Sequence, residues 1–91
     1  MRIDLFLKVV GLAKTRMGAK RLCEIQKILV NGHPVKPSHE ILAGDALAIS
    51  LPAKDLRLKV LKVPSGRSVS KKERVEFIEF LGESGADPGL I

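Results

Sequence analysis

The residue types in this chain that could serve catalysis or bind a metal are sparsely placed. His33 and His39 are six residues apart across a predicted loop, which is not typical spacing for a metal site. The single cysteine, Cys23, is predicted to be a small buried side chain on a helix. Asp45 follows a glycine and is predicted to be a turn residue. The sequence has no nucleotide-binding, zinc-protease or serine-hydrolase motif, so we expect no catalytic residue, metal site, cofactor or enzymatic activity.

The basic residues, by contrast, are segregated toward the N-terminus. Residues 1–36 contain eight lysines and arginines against two acidic residues, a net charge of +6, whereas residues 37–91 contain eight of each. This asymmetry is typical of a protein that binds a polyanion. Three phenylalanines are the only aromatic residues, which disfavours base stacking on strand aromatics and favours contacts with phosphates.

Two amphipathic helices are predicted to position these cations. The first covers the segment RIDLFLKVV, and Thr15 is predicted to N-cap the second, TRMGAKRLCEIQK. At about 100° per residue, Arg16, Lys20 and Lys27 share one face of the second helix. The opposite, apolar face is predicted to consist of Gly18, Leu22 and Ile25. On this feature alone, a basic face that is merely solvated remains the alternative.

Strands are predicted to follow these helices. Asn31-Gly32 suits a type I′ hairpin turn, and two alternating segments, ALAISL and LRLKV, predict further strands with a β-bulge near Leu61. Ser70 and Glu73 form a capping-box pattern that predicts a helix over about 71–81. The final segment, ESGADPGLI, is predicted to be a disordered tail.

The location of the protein is predicted from what the sequence lacks. No apolar run approaches the roughly 20 residues of a membrane span. The N-terminus does not read as a signal peptide, and one cysteine cannot form an internal disulfide. We therefore expect a cytoplasmic protein.

Several short motifs, in order, resemble those of the S4 RNA-binding domain family over residues 1–51. The matching residues are Arg2, Ile3, Asp4, Leu7, Arg16, Ala19, Leu22, Val30, Asn31, Gly32, Val35, Pro37, Ser38, Gly44, Asp45 and Leu47. The resemblance implies an α+β, S4-type fold in which two N-terminal helices pack on a small, mostly antiparallel sheet, followed by a short C-terminal helix. Residues 1–63 are assigned to the S4 domain, and residues 64–91 to an extension with the helix and the tail.

The sequence departs from the family at two places. Gln26 stands where the family often has glycine, so the exit from the second helix must differ or carry strain. The segment KTRM stands where related small proteins often read KRRT, which removes one basic residue from the predicted surface.

A standalone S4 domain of this length resembles the small heat-shock-type S4 proteins and the S4 proteins of ribosome quality control. The resemblance implies binding to structured rRNA on the large ribosomal subunit, with or without peptidyl-tRNA, in rescue or recycling of stalled or nascent-chain-blocked subunits. We expect a monomer with no membrane partner and no small-molecule substrate. Carried over by position, the RNA-binding residues are Arg2, Lys14, Thr15, Arg16, Lys20, Lys27, Asn31, Lys36 and Ser38. Asn31 and Ser38 would make polar contacts, and for Arg2 pairing within the fold remains the alternative to a contact with RNA.

Two other functions remain open from the sequence. The C-terminal helix and its phenylalanines would dock a partner if the chain were a protein-interaction module. The same cations would bind duplex DNA without sequence preference if the chain were a DNA-binding protein.

Overall fold

The computed structural model describes residues 1–52, 54–64, 69–70 and 72–85, which form two helices, an antiparallel sheet and a short third helix. The helices are α1 (Ile3–Val9), α2 (Arg16–Glu24) and α3 (Arg74–Phe77). The strands are β1 (Ile28–Val30), β2 (His33–Pro34), β3 (Ala46–Ser50), β4 (Lys54–Val60) and β5 (Ile78–Gly85). In this part of the chain the strand order is β2-β1-β3-β4-β5, with every pair antiparallel. The predicted fold class is confirmed.

Helix α2 begins as predicted but presents a different face to the core. The Thr15 hydroxyl oxygen accepts a hydrogen bond from the Gly18 amide at 2.9 Å, so Thr15 is the N-cap. The buried residues of α2 are Ala19 and Cys23, whereas Ile25 is 46% exposed. The prediction of an apolar face at Gly18, Leu22 and Ile25 was therefore wrong by roughly a third of a turn, although Leu22 still packs partly against the core. The small side chains of Ala19 and Cys23 pack in the same buried cluster as α1 and the sheet.

The first hairpin has the geometry that its sequence predicts. Asn31 and Gly32 have φ angles of 52° and 85°, as a type I′ turn requires at both central positions. Leu29 pairs with Pro34 and Val30 with His33. Because β2 is an edge strand, Pro34 needs no second ladder partner for its missing N–H.

One hydrophobic cluster joins the two long helices to the inner face of the sheet. Alternate residues of β3 and β4 enter it, as their patterns predicted: Leu47, Ile49, Leu56, Leu58 and Val60. Helix α1 contributes Phe6, which is fully buried. Burial of a side chain of this kind stabilises a fold by about 1.5–3 kcal/mol.

The predicted helix over 71–81 was wrong for most of its length. The capping box is present, because the Ser70 hydroxyl contacts the Glu73 carboxylate at 3.0 Å and accepts from the Glu73 amide at 3.2 Å. Helix α3 nevertheless ends at Phe77, and the chain continues as β5, in which Ile78 pairs with Val60. An isolated helix of eleven residues is marginal, and burial of Ile78 in the core favours the strand.

The end of the chain also differs from its prediction. Residues 83–85 belong to β5 rather than to a disordered tail, and residues 86–91 lie outside the described residues. The strand irregularity is between Arg57 and Leu58 of β4, opposite Leu81, and not near Leu61. The division at residue 63 stays a prediction, with β5 in the same sheet as β1 to β4. No helix among the described residues has the length and apolar character to cross a membrane.

Candidate nucleic-acid interface

A buried carboxylate holds two arginines at the start of α1. Asp4 is 2% exposed, and its Oδ2 accepts a hydrogen bond from Arg2 Nη2 at 3.0 Å. The same oxygen lies 3.5 Å from Arg16 Nε, so one carboxylate is shared by arginines from two elements. Both arginine side chains stay roughly half exposed, at 46% and 48%. Two cationic groups around one anion leave a net positive charge that faces solvent.

Arg16 reaches Asp4 because of the face that α2 buries. On a helical wheel Arg16 lies next to Cys23 and Ala19, the two residues of α2 that enter the core. Had the predicted face been buried, Arg16 would have pointed away from α1. The rotation of α2 thus creates the arginine pair.

The segment after β2 fixes the position of Asp4. The amide of Ile3 donates to the carbonyl of His39 at 2.7 Å, and the amide of Asp4 donates to the carbonyl of Pro37 at 3.3 Å. These carbonyls satisfy amides at the start of α1 that have no partner within the helix. The Pro37-Ser38 motif therefore anchors α1, with the Ser38 side chain exposed.

Four lysines of the predicted site belong to the same N-terminal part of the sequence as the two arginines: Lys14, Lys20, Lys27 and Lys36. All four are exposed, and none forms an ion pair with another described residue. Lys20 lies one turn after Arg16 on α2. Lys27 follows the end of α2, and its carbonyl accepts from Ser50 of β3 at 2.8 Å. Exposed cations without an acidic partner suit contacts with phosphates.

Two polar residues of the predicted site serve the fold. The Asn31 amide donates to Asp45 at 3.2 Å, and its oxygen accepts from the Ala46 amide at 3.0 Å. Thr15 caps α2, as described above. A contact of either side chain with RNA stays a prediction, and the Asn31 amide would have to keep these bonds while making it.

Cys23, the single cysteine, is buried among the core residues. Burial, followed by the charges of Asp4 and Glu24, raises the pKa of Cys23 to about 11, so its thiol is protonated and unreactive at neutral pH. The described residues contain no group of three or more histidine, cysteine or acidic side chains that could hold a metal ion.

The helix exit carries the strain that the sequence suggested. Gln26 has a φ of 59°, in the left-handed region that favours glycine. The backbone after α2 therefore has the conformation that glycine usually adopts at a helix C-terminus, but the residue there has a side chain.

Sequence reasoning missed that Asp4 is a buried carboxylate shared by two arginines. The spacing of Arg2 and Asp4 on the first turn was a usable signal for an ion pair. The second arginine was not detectable, because the wrong apolar face had been assigned to α2.

The comparisons with known proteins agree with this geometry. Residues 1–47 match the S4 domain family. The chain is 34% identical over 73 residues to the RQC P-site tRNA stabilizing factor of Helicobacter pylori (strain J99). The aligned residues are 80% of this chain and 87% of that protein.

Two solved structures have the same fold. The solution structure of hypothetical protein HP1423 is 32% identical, with a TM-score of 0.77, and covers 90% of this chain and 98% of that one. The trimeric structure of Vibrio cholerae heat shock protein 15 has a TM-score of 0.83 at 22% identity, which bears on the fold alone, and covers 90% of this chain and 82% of that one. With a family match over more than half of its length, the chain belongs to the S4 domain family.

Proposed function

We propose that this protein is a non-enzymatic, cytoplasmic RNA-binding protein that acts as a monomer on the large ribosomal subunit. It binds rRNA together with the tRNA of a stalled or nascent-chain-blocked subunit and serves in rescue or recycling of that subunit. The bound RNA contacts the face formed by Arg2, Arg16, Lys20 and the neighbouring lysines.

The observation that carries this proposal is the shared carboxylate of Asp4. Because Asp4 is buried and anchored by the carbonyls after β2, it holds Arg2 and Arg16 in place before any ligand arrives. A held guanidinium loses little side-chain entropy on binding, and its fork geometry suits phosphate oxygens. Surface arginines without such support would have to be ordered by the ligand.

The assignment to the ribosome is supported by the relatives. The name of the Helicobacter pylori protein specifies a tRNA in the P site, and most of that protein's length is aligned with this chain. A structured RNA surface of rRNA and tRNA presents many phosphates, which suits a face of fixed arginines and exposed lysines.

Sedimentation with separated ribosomal subunits tests the proposal. We expect the protein to follow the large subunit, most strongly when peptidyl-tRNA is bound there. A protein that makes about five phosphate contacts should lose on the order of a hundredfold in affinity over a fourfold rise in salt. Equal binding to both subunits and to duplex DNA would contradict the ribosomal assignment and favour a general polyanion binder.

Charge reversal locates the surface. The double variant Arg16→Glu and Lys20→Glu should lose at least about a hundredfold in affinity, since it replaces two attractive contacts by repulsive ones. Lys72→Glu, at an exposed lysine near α3, is the control for a single charge reversal and is compared with Lys20→Glu alone; it should bind nearly as the wild type does. Circular dichroism of each variant verifies that the fold is retained.

A role as a protein-interaction module is the second candidate, and exposed apolar residues favour it. Val75 is 71% exposed, Phe80 50% and Leu81 54%, all in the C-terminal region. Truncation is a poor test, because β5 pairs with β4 and Ile78 is in the core. Phe80→Ser together with Leu81→Ser leaves the core residues in place. Loss of a ribosome contact in this variant with RNA affinity intact would support this candidate.

A further inference from the structure

A shallow cleft of about 340 Å³ lies between the end of α2 and the segment after the first hairpin. Cys23, Glu24 and Gln26 line it on the helix side, and residues 34–37 line it on the other. Its volume is near the lower end of the roughly 300–1,000 Å³ that is usual for small-ligand sites. The cleft is part of the basic half of the chain, with Lys36 in its wall and Lys27 next to Gln26 in sequence.

More of the lining surface is apolar than polar. Pro34 and Pro37 line the cleft together with Val35, which is half-buried. Cys23 is 2% exposed, and the raised pKa of its thiol keeps the sulfur neutral. Such walls suit a planar, uncharged group better than they suit a phosphate.

Glu24 is the unusual residue of this cleft. Of the two acidic residues among the first 36, Asp4 is buried with its arginines, whereas Glu24 is exposed. Glu24 forms no ion pair with a described residue. An unpaired carboxylate beside a phosphate-binding face repels the RNA backbone. Glu24 lies one turn after Lys20 on α2, a spacing that itself favours a helix, and as part of the cleft lining its carboxylate is also free to accept hydrogen bonds from a ligand.

Guanine has the complementary donors. Its N1–H and N2–H₂ groups lie side by side on the Watson–Crick edge, so a carboxylate can accept from both in a bidentate pair. Adenine, cytosine and uracil do not offer two adjacent donors on this edge. Single-stranded loops of RNA expose such bases to proteins.

The geometry points to this cleft as a binding site for an unstacked guanine nucleotide of the bound RNA. The base lies against the proline rings, the Glu24 carboxylate accepts from N1–H and N2–H₂, and Lys36 contacts the nucleotide's phosphate. Gln26, held in its left-handed conformation at the rim, supplies an amide for the O6 side of the base. The inference rests on the proposed function and adds a base-specific contact to its phosphate contacts.

Nucleotide titrations followed by ¹H–¹⁵N NMR test the cleft directly, using the full chain. The probes are guanosine, inosine and adenosine 5′-monophosphate, with ribose 5-phosphate as the ligand without a base. We expect guanosine monophosphate to shift the amides of Glu24, Gln26, Val35 and Lys36, with at least about tenfold higher affinity than ribose 5-phosphate. Inosine monophosphate, which lacks the N2 amino group, should bind more weakly than guanosine monophosphate. Equal shifts with all four probes would overturn the inference and leave a phosphate site.

The variant Glu24→Gln separates base recognition from charge. It should lose the preference for guanosine monophosphate while its affinity for polyuridylate rises, because one repulsive charge has been removed. Glu79→Gln, an exposed glutamate on β5, is the matched control and should alter neither. If Glu24→Gln strengthened binding to guanosine monophosphate and polyuridylate alike, Glu24 would be a solvated residue and the inference would fail.

The two proposals fail in different ways. Binding to the large subunit without any preference for guanine would overturn the cleft alone. Loss of subunit binding with guanine recognition intact would overturn the proposed ribosomal function and retain the cleft.

Discussion

The two ends of the sheet use charged residues differently. At the β4–β5 end, Lys62 Nζ lies 3.9 Å from the Glu76 carboxylate and 5.1 Å from the centre of the Phe77 ring. In the same region Lys59 pairs in register with Glu79. At the α2–β2 end, exposed lysines such as Lys20 have no acidic partner among the described residues.

Under the proposed function, this difference separates residues that serve the fold from residues that bind the RNA. At the β4–β5 end, opposite charges lie near each other and largely cancel. An exposed ion pair contributes only about 0–1 kcal/mol to stability, so these pairs stabilise the fold little. The unpaired end keeps a positive charge, which the proposed function assigns to contacts with RNA phosphates. Asp4 connects the two uses, since it is a core residue that positions two arginines at the surface.

The largest expected effect is on stability at the paired end. Ile78→Ala removes a side chain that is 3% exposed and should lower the free energy of unfolding by about 2–4 kcal/mol. Urea denaturation measures this change. Val75→Ala, at a residue that is 71% exposed, is the control and should change it by less than about 0.5 kcal/mol.

The same variant tests whether the ends are independent. Under conditions where Ile78→Ala is folded, its affinity for rRNA should equal that of the wild type. A large loss of affinity in the folded protein would contradict the separation of roles.

Asp4→Asn should affect both stability and RNA affinity, because it weakens the ion pairs that Arg2 and Arg16 each form with residue 4. We expect the free energy of unfolding to fall by about 1–3 kcal/mol, a range reduced from that of fully buried pairs because both arginines are half exposed. Affinity for rRNA should fall about tenfold through loss of positioning, although the variant gains positive charge. Filter binding with rRNA measures the second effect.

The control for this variant is Asp55→Asn, an exposed residue of β4. It makes the same change in charge and should leave affinity unchanged or slightly higher. If Asp4→Asn behaved in the same way, Asp4 would have no positioning role.

The smallest expected effect concerns strain at the basic end. Gln26→Gly relieves a φ of 59° and should raise the free energy of unfolding by about 0.5–1 kcal/mol, after the greater entropy of glycine in the unfolded chain is subtracted. Gln26→Ala keeps a β-carbon and should give no gain. Thermal denaturation of the two variants distinguishes them, and equal stabilities would show that the conformation carries no strain.

The sequence was most informative where local rules determine structure. The Asn31-Gly32 turn, the Thr15 cap and the alternation of Leu56, Leu58 and Val60 each depend on neighbouring residues, and all were predicted. The apolar residues among 78–81 fit the spacing of a helix, and they also suit a strand. Pairing with β4, which is distant in sequence, decided between the two.

For the candidate site, the sequence predicted the cations but not their organisation. Their segregation and the motifs placed Arg16 and Lys20 on a basic surface. The sharing of Asp4 depends on which face of α2 is buried, and the cleft depends on the approach of residues 34–37 to the end of α2. Both are results of tertiary packing, which helical periodicity alone does not fix.

The most direct test of the central claim is the salt dependence of rRNA binding in Lys20→Ala and Lys62→Ala. Each lysine that contacts a phosphate should contribute roughly 0.7–0.9 to the slope of log K against log salt concentration. We predict that Lys20→Ala reduces the slope by about that amount, while Lys62→Ala, whose cation is already paired, leaves it unchanged. Equal slopes for both variants would contradict the claim that the unpaired cations of the α2–β2 end bind RNA.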